Sequence, residues 1–286
     1  MRYRSSVTYP PGFDPRRAVQ LAELVAQAYQ QFDAFRQNRA WAIGGEYSLI
    51  AELLRPEPAA RRMLLTQFDR EMRQLTGKAS EKRRGLPIGF LARRDGEAYL
   101  VFRGTMTTNE WVADLNVRLV PRPYLGSGQV HDGFLRTYEL FRATILESLR
   151  QVGRGDRLLV TGHSLGAGLA TLAAADVATV RPGAAPTIYT FASPRVGDRQ
   201  FASEYNARLG SGSYRVANTC DMVVSVPFPV PFLGFIGGYF THVDAPVDFT
   251  VQVEDAEKNH DLATYLEAMK RLGYRRGLLR RFFQGP

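Results

Sequence analysis

A doubly wound α/β fold, with a mostly parallel sheet and helices on both faces, follows from three features of the sequence. Short apolar, β-rich runs alternate with helical patterns between Phe134 and Ala217. One such run, Arg157 to Thr161, passes through Gly162-His163-Ser164-Leu165-Gly166 into a small-residue helical pattern, which reads as strand, sharp turn, helix. Asp95-Gly96, a preferred tight-turn pair, joins two further apolar runs into a hairpin. With 286 residues and 45% hydrophobic content, the chain can bury one substantial core. Residues 1–286 are therefore expected to form a single domain. Its 1–85 portion would pack helically on the sheet, and 271–286 would be a basic tail.

Asp14 before Pro15 marks a helix start, and Ala18, Leu21, Leu24, Val25, Ala28, Tyr29 and Phe32 recur behind it at helical spacing. A second helical stretch covers 59–75, followed by a polar link at 76–85. The hairpin strands are 88–93 and 97–102. Helix 134–152, strand 158–161, helix 165–180, strand 187–192, helix 198–209 and strand 214–217 then alternate, the pattern of a parallel sheet. Asp198 reads as the N-cap of its helix, and Asp244 and Asp248 lie by an expected edge strand.

The strand–turn–helix carries the chemistry. Glycines two before and two after Ser164 leave room for a strained turn that holds the hydroxyl clear of the backbone. The first N–H groups of the helix that follows are unpaired and face developing negative charge. Ser164 is thus the candidate nucleophile. Four histidines could serve as its base. His163 adjoins Ser164 and points elsewhere, so it is expected to pack or hydrogen-bond beneath the turn. His131 lies upstream, whereas the hydrolase order is Ser, acid, His. His260, on a polar loop before Leu262, Tyr265, Leu266 and Met269, is the preferred base, with His242 next. Asp221 follows the strand-like run at 214–218 and is the preferred acid, at a strand's carboxyl end where open parallel sheets build sites.

Four blocks give the chain a family resemblance: Val101-Phe102-Arg103-Gly104-Thr105, Val130-His131-Asp132-Gly133-Phe134, Thr161 to Gly168, and Phe191-Ala192-Ser193-Pro194-Arg195-Val196-Gly197. With Asn218-Thr219-Cys220-Asp221, Val226-Pro227 and His260, the chain resembles the class 3 lipases, the fungal-type Ser-Asp-His triacylglycerol lipases. The resemblance implies an α/β-hydrolase fold. It also implies that Thr105 supplies an oxyanion-hole N–H and its hydroxyl. Leu165, the residue after the nucleophile, would supply the second N–H, and its place at a helix N-terminus argues the same.

The resemblance further likens 106–113, with Trp111 and Val112, to a short mobile lid; the other reading is a fixed helix whose Trp111 fills the core. The stretch 222–241 has no charged residue, but Pro227, Pro229 and Pro231 forbid a regular helix, so it is an apolar loop and not a membrane span. It begins beside Asp221. It reads either as a buried core loop or, with Phe228 and Phe232, as an acyl-groove wall or lipid-touching surface.

The charge is +9, with Arg271, Arg275, Arg276, Arg280 and Arg281 crowding the tail among leucines and phenylalanines. No nucleic-acid reader motif accompanies it, so no nucleic-acid partner is expected. An interfacial segment drawn to anionic lipid is one reading of the tail. A solvated terminal helix is the other, although Gly273 and Gly277 argue against a long continuous one. The single cysteine, Cys220, leaves no internal disulfide, unlike the usually bridged, secreted fungal lipases. Residues 1–17 contain no apolar segment of the secretory kind, and a cytoplasmic or membrane-peripheral location is expected. The expected activity is a serine carboxylic-ester hydrolase acting on lipid esters, without metal or cofactor. Phospholipase A1 or galactolipase activity is the alternative within the enzyme class. A catalytically silent lipid-binding module is the alternative outside it.

Overall fold

The computed structural model describes residues 2–4, 9–55, 85–105, 118–183, 185–227 and 239–283. In chain order the elements are β1 (Arg2–Arg4), α1 (Pro15–Arg36), β2 (Ser48–Arg55), β3 (Leu86–Arg94), β4 (Glu97–Phe102), β5 (Leu119–Pro121) and β6 (Gln129–His131). Then come α2 (Asp132–Ser148), β7 (Arg157–His163), α3 (Leu165–Val180), β8 (Thr187–Phe191), β9 (Gly197–Asp198), α4 (Arg199–Leu209) and β10 (Ser213–Asn218). The last are β11 (Phe240–Thr241), β12 (Ala245–Gln252), α5 (Ala256–His260) and α6 (Leu262–Phe283).

The main sheet has eight strands in the order β1-β12-β10-β8-β7-β4-β3-β2. β4, β7, β8, β10 and β12 pair in parallel, while β1, β3 and β2 add antiparallel edges. β4, β7 and β8 are covered on both faces and read as near-continuous apolar runs, whereas β12 alternates, with Pro246, Asp248 and Gln252 exposed. In β7, Leu158 and Val160 join the core under α2, α3 and α4, whereas Leu159 joins the core under α1 and α6. The chain moves one way across the sheet from β4 to β10, and connections of one hand place successive crossover helices on one face. The helices flanking this run, α1 and α6, cover the other.

Local signals explain the boundaries. The Asp14 side chain caps α1 by accepting from Arg16 N at 2.9 Å, with Pro15 in the first turn. Asp95 (φ 50°) and Gly96 (φ 73°) make the left-handed pair that closes the β3–β4 hairpin. Helix α3 is apolar on every side because it is buried from Leu165 to Val177. Its one buried charge, Asp176, receives Arg142 Nε and Nη2 at 2.7 and 2.9 Å and the Tyr138 hydroxyl at 2.7 Å, which ties α3 to α2.

Several expectations change. The strand by Asp244 and Asp248 is not an edge: β12 lies between β10 and β1. A strand, β2, occupies part of the portion expected to be helical, and its register shifts at Leu49/Ala51 and Leu53/Leu54 blur the period-two pattern. A second, four-stranded sheet, β11-β9-β6-β5, is built from pieces too short to read as strands. Helix α6 continues to Phe283 through Gly273 and Gly277. A Cβ at Gly273 would make only ordinary contact with Pro15 of α1, so packing decides over intrinsic propensity there. The helical stretch expected at 59–75 lies outside the described residues. Among the described residues, no helix is long and apolar enough to cross a membrane.

Candidate active site

Ser164 sits where β7 becomes α3, at φ 58° and ψ −125°, a conformation that side-chain-bearing residues rarely adopt. What holds it there is close packing of backbone. A Cβ on Gly162 would overlap the Gly166 carbonyl, and one on Gly166 would overlap the Arg103 carbonyl. A Cβ on Gly104 would come within 2.9 Å of the Ser164 side chain. The glycines thus let the turn, the first turn of α3 and the end of β4 meet at backbone distance. Ala167 N and Gly168 N bond back to the Ser164 carbonyl at 2.9 and 3.3 Å, leaving the Leu165 N–H at the open helix end.

The structure brings Ser164, His260 and Asp221 together. His260 Nε2 lies 2.8 Å from Ser164 Oγ, and His260 Nδ1 lies 2.8 Å from Asp221 Oδ2. The three residues are 1–3% exposed. Their elements are far apart in sequence, so fixed carriers are needed. Asp221 stands in the turn after β10, and its Oδ1 accepts from Val223 N at 2.8 Å. Its Oδ2 also accepts from the Tyr265 hydroxyl at 2.6 Å, and that hydroxyl accepts from Asn218 N at 3.1 Å. The Asn218 amide donates to the Val251 and Asn259 carbonyls at 2.9 and 3.0 Å and accepts from Val251 N at 3.0 Å. One side chain therefore joins the acid turn to β12 and to the residue before His260. Burial, with Asp221 beside it, pushes the Tyr265 phenol well above its ordinary value, so it remains a donor.

His163 lies beneath the turn, as expected from sequence. Its Nδ1 accepts from the Tyr29 hydroxyl at 2.9 Å, and its Nε2 donates to the His260 carbonyl at 2.8 Å. Burial, reinforced by His260, holds it well below the usual histidine range and so neutral. His242 is not brought to Ser164: its Nε2 donates to the Val224 carbonyl at 2.7 Å, and burial beside Arg215 and Arg195 lowers it to about 3. His131 is a helix cap. Its Nδ1 accepts from Gly133 N and Phe134 N at 3.1 and 3.3 Å. Asp198 caps α4 as expected, accepting from Phe201 N at 2.8 Å.

Thr105 follows β4 and is 7% exposed, and its hydroxyl is buried with no hydrogen-bond partner among the described residues. An orphaned donor there is costly unless a reacting group engages it. Trp111, Val112, Phe228 and Phe232 lie outside the described residues. Among the described residues, no cluster of side chains could hold a metal ion. The sequence reading missed Tyr29, Arg103, Asn218 and Tyr265. Arg103 and Asn218 lie in the blocks that carry the family resemblance, and Tyr265 is a polar-tipped aromatic on the helix just after His260.

Residues 99–230 match the family model described as Lipase (class 3). A lipase of Rhizomucor miehei is 33% identical over 200 residues, covering 64% of this chain and 54% of that protein. Phospholipase A1 EG1, chloroplastic/mitochondrial, from Oryza sativa subsp. indica is 32% identical over 242 residues, covering 68% and 54%. The chain spans about half the length of these curated relatives. A crystal structure of MDLA from Penicillium cyclopium shares the fold, with a TM-score of 0.57 at 22% identity over 87% of this chain and 84% of that one.

Proposed function

We propose, for a chain whose residues 99–230 belong to the class 3 lipase family, that it hydrolyses lipid carboxylic esters through an acyl-enzyme on Ser164. The observation that carries this reading is the continuous line Asp221–His260–Ser164, with both links at 2.8 Å. Ser164 Oγ attacks the ester carbonyl while His260 Nε2 takes its proton; the same proton then goes to the leaving alkoxide. Asp221 holds the imidazole in the tautomer that leaves Nε2 free to accept, and it stabilises the imidazolium. The N–H groups of Thr105 and Leu165 and the Thr105 hydroxyl receive the oxyanion, which gives that buried hydroxyl its partner. Such donors are worth about 3 kcal/mol each. Water deacylates the enzyme by the same route.

Labelling with a fluorophosphonate probe tests the nucleophile: the native protein should label, Ser164→Ala should not, and an unlabelled native protein would defeat the proposal. It would also favour a silent lipid-binding module, against which the intact hydrogen-bonded line argues. A triacylglycerol-type substrate is the first reading, from the resemblance to the class 3 lipases. Phospholipase A1 activity is the second, favoured by the comparable identity to the rice protein. A panel of triacylglycerol, phosphatidylcholine and galactolipid separates these. Peripheral lipid contact is supported by Met222 and Tyr239, 63% and 61% exposed at the two ends of the stretch that follows the acid.

A further inference from the structure

Gly104 poses a problem that its neighbours resolve. It must be glycine, because a Cβ there would sit 2.8 Å from the His163 carbonyl and 2.9 Å from the Ser164 side chain. Glycine is also the residue least able to hold its own orientation. Yet the peptide that joins it to Thr105 carries the N–H read above as an oxyanion donor.

We propose that Tyr29 and Arg103 are positioning residues that lock the two peptide groups flanking Gly104 and thereby aim the Thr105 N–H at the oxyanion. Arg103 Nη1 donates to the Gly104 carbonyl at 2.6 Å, and the Tyr29 hydroxyl accepts from Gly104 N at 3.0 Å. A trans peptide is planar, so its carbonyl and N–H point in opposite directions. Holding the Gly104 carbonyl therefore fixes where the Thr105 N–H points. A cationic donor on that carbonyl also polarises the peptide and strengthens its N–H as a donor.

The guanidinium is itself held. It is wholly buried, its Nε donates to the Pro87 carbonyl at 3.0 Å, and its Cζ lies 3.7 Å from the centroid of the Phe32 ring. Tyr29 and Phe32 are three residues apart on α1 and share a face, so one helix supports both clamps. The second clamp reaches further. The Tyr29 hydroxyl, accepting from Gly104, donates to His163, which donates to the His260 carbonyl. The oxyanion peptide and the backbone of the base are thus joined by one line of hydrogen bonds through α1, outside the family-matched residues 99–230.

This inference rests on Ser164 being the nucleophile. Its test compares native protein, Tyr29→Phe, Arg103→Lys and the double variant on a soluble p-nitrophenyl ester, with active sites counted by fluorophosphonate labelling run to completion. Butyl boronic acid, whose serine adduct places an oxygen in the oxyanion hole, supplies a second readout. Tyr29→Phe should lower kcat per titrated site about tenfold, leave KM nearly unchanged, and weaken the boronic acid by the same factor. Arg103→Lys should do so by about a hundredfold, and the double variant should lose less than the product, since both act on one residue's peptides. The inference is overturned if Tyr29→Phe keeps kcat per site and boronic-acid affinity within about twofold of native. A lower yield of titratable sites that each work normally also overturns it, because it would make Tyr29 a folding contact alone. If Arg103→Lys fails to fold, Tyr29→Phe decides by itself. A native protein that does not label removes the functional reading; a labelled enzyme indifferent to Tyr29→Phe removes only the clamp.

Discussion

Replacing Tyr265 by phenylalanine would leave a wholly buried ring in place and take one oxygen from beside the acid. That oxygen makes two hydrogen bonds, one donated to Asp221 Oδ2 at 2.6 Å and one accepted from Asn218 N at 3.1 Å. The first involves a carboxylate and is worth about 1.5–3 kcal/mol, and the buried N–H left unpaired costs about 1–3 kcal/mol. Allowing for relaxation, Tyr265→Phe should destabilise the protein by about 2–4 kcal/mol, a drop in Tm of roughly 3–7 °C for a chain of this size. Catalysis should suffer less. Asp221 keeps Val223 N and His260, so the imidazole stays oriented, and kcat/KM should fall about tenfold, far short of the roughly 10⁴-fold cost of losing the carboxylate's charge. The native phenol is a donor throughout the working range, so the loss should be uniform from neutral to mildly alkaline pH. Thermal scans and ester hydrolysis profiled against pH, alongside Asp221→Asn, measure all three quantities. An unchanged Tm, or a loss as deep as that of Asp221→Asn, would refute this account of the hydroxyl.

His260→Ala should lose about 10⁴-fold or more of ester turnover, whereas His242→Ala should remain within about tenfold of native; the opposite ranking in steady-state assays would reassign the base. Arg142→Ala would strand the buried Asp176 carboxylate and should cost about 3–5 kcal/mol in chemical denaturation, with kcat per titrated site unchanged. His131 adds a pH dependence. Burial lowers it from 6.5 to about 4, so the unfolded chain binds the extra proton between those values. Its contribution is complete above about 6.5 and is lost as pH falls toward 4, by at most roughly 3 kcal/mol. His131→Asn, which keeps a capping acceptor for Gly133 N and Phe134 N, should flatten that fall in a Tm–pH series.

What was legible from the residues was whatever is local. Gly162 to Gly166 announced the turn because its strain, its glycines and the helix after it are consecutive. Asp14, Asp95-Gly96 and Asp198 were readable for the same reason: a cap or tight turn is satisfied within three residues. Chain order picked His260 over His131, and loop polarity picked it over His242. The supports were hidden because their partners are remote. Tyr29 looks like one more apolar position of α1, yet its hydroxyl meets residues 75 and 134 positions away. Arg103 meets its partners only once β3 and α1 close over it. Gly273 misled because propensity says nothing about a helix that packs on another.

That packing has a practical corollary for dividing the molecule. Helices α1 and α6 lie together on one face, with Lys270 bridged to Glu23 at 3.0 Å. Between α3 and β8 the chain crosses an exposed turn at Gly183. A cut at that turn would give one piece with Tyr29, Arg103, Thr105 and Ser164, and another with Asp221, His260 and Tyr265. Neither piece holds a working set, and each bares the apolar face that the other covers. Ester hydrolysis, the proposed activity, would then appear only on reassembly, so the protein could be made into a two-part sensor that turns over substrate when fused partners bring its halves together.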